Sequence, residues 1–509
     1  MLEKEYRNPV RSYSRRAALG VLLGGVAGAA MAQSVGAPVV TASPYPLARP
    51  QGLHKLAVPS GADLVKASKI SGEVSYAVAN AAGEILEARG PVLRLPPASV
   101  AKAITAIYAL EHLGGDYTFA TDVFATGGLE NGILQGDVIL AGSGDPTLDT
   151  DRLGDLAGQL AAMGITGITG AFYVFGATLP RIEQIDDQQT EYAGYNPTIT
   201  GLNVNYNRVH FEWKKRGTEF DLTMDARAKR FAPEVQIAKM RIADRGLPVF
   251  DHTAGQGRDD WTVSRSALGN GGARWLPVRL PALYAGEVFA AVARGQGVHL
   301  PKAQRLDVLP AHVMRLTRIE SVDLTTIVRD MLKYSTNLTA EVIGLAASRK
   351  RGVAPTDLQS SAKAMSQWAV EHLGARHLAF IDHSGLGGAS VVSTSDMVRI
   401  LSAPGVEPIL GPVLKPIALR DADYKVIKDA PTHITAKTGT LDFVSTLAGY
   451  VTAPDGTRLA FATFAADVPA RRAAKAIGNE VPRGAKTFNS RAKRLQQALI
   501  RRWSVVYGP

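Results

Sequence analysis

The sequence predicts a split α/β fold: an antiparallel sheet with helices, built from both ends of the chain and interrupted by a large β-rich insertion. Three observations predict it. The chain has 509 residues, too many for one ordinary core. Its two ends mix strand-like and helix-like runs. Its middle, from Asp116 to about Pro301, changes to many short strands separated by glycine turns.

The elements follow in order. Residues 1–32 read as an export signal, with Arg11, Arg15 and Arg16 ahead of the short apolar run Ala17 to Ala29. Ala30-Met31-Ala32 fits a small-x-small cleavage site. The run is too short and too weakly hydrophobic for a membrane span, so at most peripheral membrane contact is expected. Ser14-Arg15-Arg16-Ala17-Ala18-Leu19 resembles a twin-arginine signal, and an ordinary secretion signal with adjacent arginines fits as well. Either one implies a periplasmic protein.

A Pro-rich lead-in runs from Pro38 to Pro59. Val74 to Val78 and Ile85-Leu86 read as strands around the turn Ala81-Ala82-Gly83. Pro96-Pro97 stops the strand pattern, and Ala98-Ser99 opens a helix with apolar residues at Val100, Ile104, Ile107, Tyr108 and Leu110. Gly114-Gly115 ends it. Within the middle, Asn203 to Asn207 begins a charge-rich part that runs to about Trp275 and reads as a small β module.

Helical spacing returns near Ala282 and over Asp323 to Lys333, and Ser335 to Asn337 falls in the break before a helix over Ala340 to Ala347. Ile434 to Thr440, Thr446 to Val451 and Leu459 to Ala465 read as antiparallel strands. A last helix, Ser490 to Trp503, suits a cover for that sheet. The expected divisions are 33–113 with 308–509 for the split domain, 114–204 with 276–307 for the insertion, and 205–275 for the nested module.

Composition removes several chemistries. There is no cysteine, which excludes disulfides and thiol nucleophiles, and no His-Glu-x-x-His run. The ten histidines do not cluster at ligand spacing, so neither metal nor organic cofactor is expected. Net charge is +11, or +8 without residues 1–32, and attraction to anionic envelope polymers would follow. No basic stripe with interleaved aromatics points to nucleic acid. Oligomeric state is not readable.

Three short motifs carry the chemistry. Ser99-Val100-Ala101-Lys102 puts a hydroxyl and an amine one helical turn apart, on one face, at a helix start where free N–H groups favour negative charge. Lys102 can take the hydroxyl proton if burial or a nearby cation keeps it neutral. Ser99 as a helix cap beside a surface lysine is the plainer alternative for this motif alone. Ser360-Ser361-Ala362-Lys363 repeats the spacing, but inside a helix that Thr356 or Asp357 can cap. Ser335 and Asn337 offer a hydroxyl to relay a proton to a leaving amine, and an amide to bind a carbonyl. Capping residues are the alternative there.

Lys437-Thr438-Gly439-Thr440 sits on a strand expected at a sheet edge. There Lys437 would attract a carboxylate, and Gly439 would let a substrate backbone pair closely. A lysine guarding an edge is the alternative. Three such coincidences in one order and in fitting contexts favour catalysis.

These motifs resemble those of penicillin-recognising serine enzymes. More than two hundred residues separate Ser99 from Ser335, too many for a class A β-lactamase. The spacing resembles the D-Ala-D-Ala carboxypeptidase/endopeptidase family typified by penicillin-binding protein 4, peptidase family S13. Gly144-Asp145-Pro146-Thr147-Leu148, Leu202-Asn203-Val204-Asn205, Pro281-Ala282-Leu283-Tyr284-Ala285-Gly286, Asp382-His383-Ser384-Gly385-Leu386 and Gly449-Tyr450-Val451 extend the resemblance over nearly all the mature chain.

The resemblance implies a penicillin-binding (β-lactamase/transpeptidase-like) domain split by an insertion. It implies Ser99 as acyl-enzyme nucleophile, Lys102 as proton acceptor and Ser335 as second catalytic serine with Asn337 beside it. Lys437, Thr438 and Thr440 would hold a terminal carboxylate, and the N–H groups of Ser99 and Thr440 an oxyanion. Peptidoglycan peptides are the implied substrates and β-lactams the covalent inhibitors. Two departures stand out: His383 occupies a position where the family has glycine, and Val174-Phe175-Gly176-Ala177 stands where it has an acidic segment. The competing readings are a D-amino-acid peptidase or esterase of the same fold, and a wall-binding protein with little turnover.

Overall fold

The computed structural model describes residues 55, 57–477 and 482–508. The expected export signal and most of the Pro-rich lead-in lie outside the described residues. None of the described helices is long and apolar enough to cross a membrane.

A six-stranded antiparallel sheet joins the two ends of the chain. Its order is Lys415–Pro416, His433–Leu441, Val444–Thr452, Arg458–Ala466, Glu73–Asn80 and Ile85–Arg89. Glu73–Asn80 is buried on both faces rather than alternating, because helices cover both sides. On one face the helix Ala485–Val506 packs Trp503 against Tyr76 and Phe461, with ring centroids 5.9 Å apart in each pair. On the other face small residues (Ala77, Ala448, Ala462) meet a helical core.

At the centre of that core is Ala101–Leu113. It is buried from Ala101 to Ala109, apolar there except for Lys102 and Thr105, and packed against Asn337–Lys350.

The middle of the chain has its own core. A five-stranded sheet runs in the order Gln304–Leu306, Phe172–Phe175, Val138–Gly142, Ala120–Ala125 and Met314–Glu320. Two helices, Thr150–Ala162 and Pro281–Arg294, pack together beside it. Between Arg208 and Pro277 the strands form two three-stranded sheets.

Two details differ from expectation. Thr150–Ala162 is a helix in a stretch read as strands. Asp149 caps it, and Leu153, Leu156, Ala157 and Leu160 form its buried stripe. The inserted sheet also does not end at residue 307, because Met314–Glu320 pairs with Ala120–Ala125. Conversely, Leu179, Ile182, Ile185 and Ile199 belong to the helical core of the outer domain, so this loop reaches across to the site.

Candidate active site

Ser99 is held on a clamped turn. Ala98–Val100 forms a single 3-10 turn that leads into the helix Ala101–Leu113. Ala98 has φ +47°, a left-handed conformation that costs an L-residue energy and recurs at functional sites. The turn survives because its surroundings fix it. Thr446 Oγ1 donates to the Pro97 carbonyl at 2.7 Å. A Cβ on Gly385 would lie 1.9 Å from the Ala98 carbonyl oxygen, and one on Gly439 would lie 2.7 Å from that of Pro97. Gly439 is therefore required by the approach of its strand to the serine turn. This is a packing reason for the glycine, separate from the close pairing with a substrate backbone expected of it.

Lys102 is fully buried beneath Ser99, with Nζ 3.0 Å from Ser99 Oγ, 2.7 Å from Asn337 Oδ1 and 2.8 Å from the Ser384 carbonyl oxygen. Burial lowers its pKa to about 8, against the opposing pull of Glu341 and Asp382. A neutral amine has two N–H groups and one lone pair. Asn337 Oδ1 and the Ser384 carbonyl can only accept, so they take both N–H groups. The lone pair is left facing the Ser99 hydroxyl. Asn337 Nδ2 donates to the Tyr195 carbonyl at 3.0 Å, which turns Oδ1 toward Lys102. Asn337 thus orients the lysine, a task beyond the carbonyl binding expected of it. It opens the helix Asn337–Lys350 itself, three residues earlier than expected.

Ser335 ends the preceding helix with φ +62°. Its Oγ accepts from Lys437 Nζ at 3.0 Å, and Lys437 also donates to the Thr438 carbonyl at 2.7 Å. Lys437 is 1% exposed. Burial, then the charges of Lys102 and Lys415, lower its pKa to about 6. The strand expected at the sheet edge is paired at Thr435 and Ala436 by Pro416 and Lys415. Among the described residues its edge is open from Lys437 onward.

The cleft above these groups is lined by Ser99, Ser335, Asn337 and Thr440. Lys102, Lys437 and Gly439 lie beneath its surface, and Thr438 is exposed in a separate groove beside Lys415 and Tyr424. One wall comes from the inserted loop at Gln188, Gln189 and Tyr195, tied to the far wall where Lys475 Nζ meets Asp186 Oδ2 at 3.4 Å and Gln188 Oε1 at 3.1 Å. Arg471, 6% exposed, lines that far wall. Sequence reasoning missed Tyr195, Arg471 and Lys475, because no motif marks them. Val174 and Phe175 are buried in the inserted sheet and do not line the cleft.

His383 does not face the cleft. Its ring is buried, with Nε2 2.8 Å from Ser361 Oγ and the Tyr108 ring stacked at 6.4 Å. Burial lowers its pKa to about 3, so it is neutral. A Cβ on Gly344 would lie 2.2 Å from its Cγ, so Gly344 makes room for the ring. The second Ser-x-x-Lys dissolves on inspection. Ser360 reciprocates the Asp357 helix cap, and Lys363 is exposed.

A hydroxyl 3.0 Å from a buried amine of lowered pKa, on this sheet-and-helix frame, is the arrangement of a serine acyl-transfer enzyme. The D-Ala-D-Ala carboxypeptidase 3 (S13) family model matches residues 64–482, and the chain belongs to that family of serine carboxypeptidases. It is 28% identical over 467 residues to the D-alanyl-D-alanine carboxypeptidase of Actinomadura sp. (strain R39), covering 82% of this chain and 84% of that one. It is 24% identical over 386 residues to the D-alanyl-D-alanine carboxypeptidase DacB of Haemophilus influenzae, covering 72% and 79%. The crystal structure of penicillin binding protein 4 (dacB) from Haemophilus influenzae shares the fold, with TM-score 0.68 at 20% identity, covering 87% of this chain and 100% of that one.

Proposed function

We propose that this carboxypeptidase acts in the periplasm on peptidoglycan stem peptides, that Ser99 is its nucleophile, and that β-lactams acylate the same hydroxyl. The observation that supports the reading best is the pair of carbonyl acceptors on Lys102, which leaves its lone pair to Ser99.

The steps follow from the positions. Ser99 Oγ attacks the carbonyl carbon of the penultimate D-Ala as its proton passes to Lys102. The oxyanion is met by the main-chain N–H groups of Ser99 and Thr440, as the family resemblance implies. The C–N bond breaks as the proton held on Lys102 passes to the leaving amine by way of the Ser335 hydroxyl, whose other partner is Lys437, and Lys102 is neutral again. Water then attacks the ester and gives a proton to Lys102, which returns it to the Ser99 oxygen as the ester bond breaks. The terminal carboxylate of the substrate is met by Thr440 at the cleft surface, with Lys437 acting from beneath through Ser335.

Digestion of purified muropeptides, read by mass spectrometry, tests this. Pentapeptide stems should lose one D-Ala, and the Ser99→Ala variant should leave them intact. Cross-linked dimers in the same digest report endopeptidase action. No loss of D-Ala from any stem would overturn the proposal.

A further inference from the structure

We propose that Glu341 is a positioning residue for the reaction: by holding the main chain of His383 and Ser384, it aims the Ser384 carbonyl at Lys102. The inference rests on Lys102 as proton acceptor.

Glu341 lies one helical turn after Asn337 and is fully buried. Its two oxygens each accept a main-chain amide, Oε1 from Ser384 N at 2.9 Å and Oε2 from His383 N at 2.8 Å. The next peptide plane is fixed by Asp382, whose Oδ1 accepts from Gly385 N at 3.0 Å. The Ser384 carbonyl shares the peptide plane of Gly385 N, so Asp382 holds that plane while Glu341 holds the two peptide units before it, and together they aim the carbonyl at Lys102 Nζ, 2.8 Å away. With Asn337 Oδ1, that carbonyl takes the N–H groups of the neutral amine and so decides where its lone pair points. One helix thus supplies both controls, Asn337 directly and Glu341 through Ser384.

The charged groups that face Lys102 are Glu341 from this helix, Asp382 from the loop and Lys437 from the strand. Burial and then Asp382 raise the Glu341 pKa to about 8, against the hydrogen bonds from Ser384 and His383 and the charge of Lys102, so Glu341 and Lys102 titrate over the same range. His383 is neutral with its ring turned to Ser361. A carboxylate at Glu341 favours the ammonium form of Lys102. Its removal should shift the Lys102 titration to lower pH.

The test is the second-order rate of acylation by a fluorescent penicillin, measured against pH, with labelling stoichiometry as a count of folded sites. Glu341→Gln keeps the shape but turns an N–H toward a main-chain N–H. Full stoichiometry is expected, with a plateau rate lower by about tenfold, the size of one lost charge-assisted hydrogen bond, and an acid limb moved to lower pH. Glu341→Asp keeps the charge but cannot span both amides. It should lose rate while its limb stays at the wild-type position, and it carries the test if Glu341→Gln does not fold. Unchanged rate and limb, or a rate loss matched by lost stoichiometry in both variants, would overturn the inference. Failure of the wild type to be acylated would instead overturn the proposed function.

Discussion

Asn337 Oδ1 stands 2.7 Å from Lys102 Nζ, and the other end of the same amide is fixed by the Tyr195 carbonyl. The amide is therefore locked with its acceptor toward the amine. Tyr195 comes from the inserted segment, so the insertion helps to orient Lys102 through Asn337 as well as forming a cleft wall.

Replacing Asn337 by Asp tests this relationship. The new carboxylate favours the ammonium form of Lys102 and raises its pKa from about 8. Acylation needs the neutral amine. The acid limb of the acylation rate should therefore move to higher pH, the opposite of the shift expected for Glu341→Gln. The measurement is the rate of penicillin acylation across pH 6 to 10. A limb that stays in place would mean that Asn337 does not face the titrating group.

Lys437 gives a prediction about protons taken up on binding. With its pKa near 6, it is mostly neutral at pH 7.5. A carboxylate bound above it favours the charged form and raises that pKa, so a proton is taken up from the buffer. Calorimetric binding of a D-Ala-D-Ala peptide to the Ser99→Ala variant should show an enthalpy that varies with the ionisation enthalpy of the buffer. The dependence should vanish in a further Lys437→Met variant. An enthalpy independent of buffer would remove Lys437 from carboxylate recognition.

Much of the frame was legible because its signals are local. The C-terminal strands are mostly apolar runs around the turn Pro454-Asp455-Gly456, and Ser99 closely follows two prolines at a helix start. What sequence left out are relations between distant segments. Glu341 looks like any glutamate in a helix until the loop at His383 is seen folded onto it. Gly439 reads as a binding glycine, and only the folded chain shows Pro97 lying against it as well. The Thr150–Ala162 helix has a clear stripe of leucines, and its surroundings of short strands masked it.

Gly439→Ala should damage the site through packing alone. Its Cβ would lie 2.1 Å from Thr446 Oγ1 and 2.7 Å from the Pro97 carbonyl oxygen, so the strand or the serine turn must move. Overpacking of this kind costs about 1–3 kcal/mol, and acylation should fall at least tenfold. Urea denaturation and the labelling rate check the two parts. Wild-type values for both would show that the strand does not constrain the turn.

His383 and Gly344 should be coupled. Gly344→Ala alone drives a methyl into the imidazole and should destabilise by more than about 1 kcal/mol. In a His383→Gly background the same change should cost less, or should stabilise, because the ring is gone. The histidine also sets a pH dependence. Its folded pKa is lowered to about 3, so the unfolded chain binds the extra proton between about pH 3 and 6.5. Stability should therefore rise with pH across that window, and His383→Gly should flatten the rise. Additive changes in urea denaturation, or an unchanged slope, would contradict the packing described.

The most direct test of the central claim is intact mass after incubation with benzylpenicillin. The wild type and Ser360→Ala should each gain the mass of one penicilloyl group, and Ser99→Ala should gain none while keeping the wild-type fold by circular dichroism. Acylation of Ser99→Ala at the wild-type rate, or its loss in Ser360→Ala, would show that the reactive hydroxyl lies elsewhere.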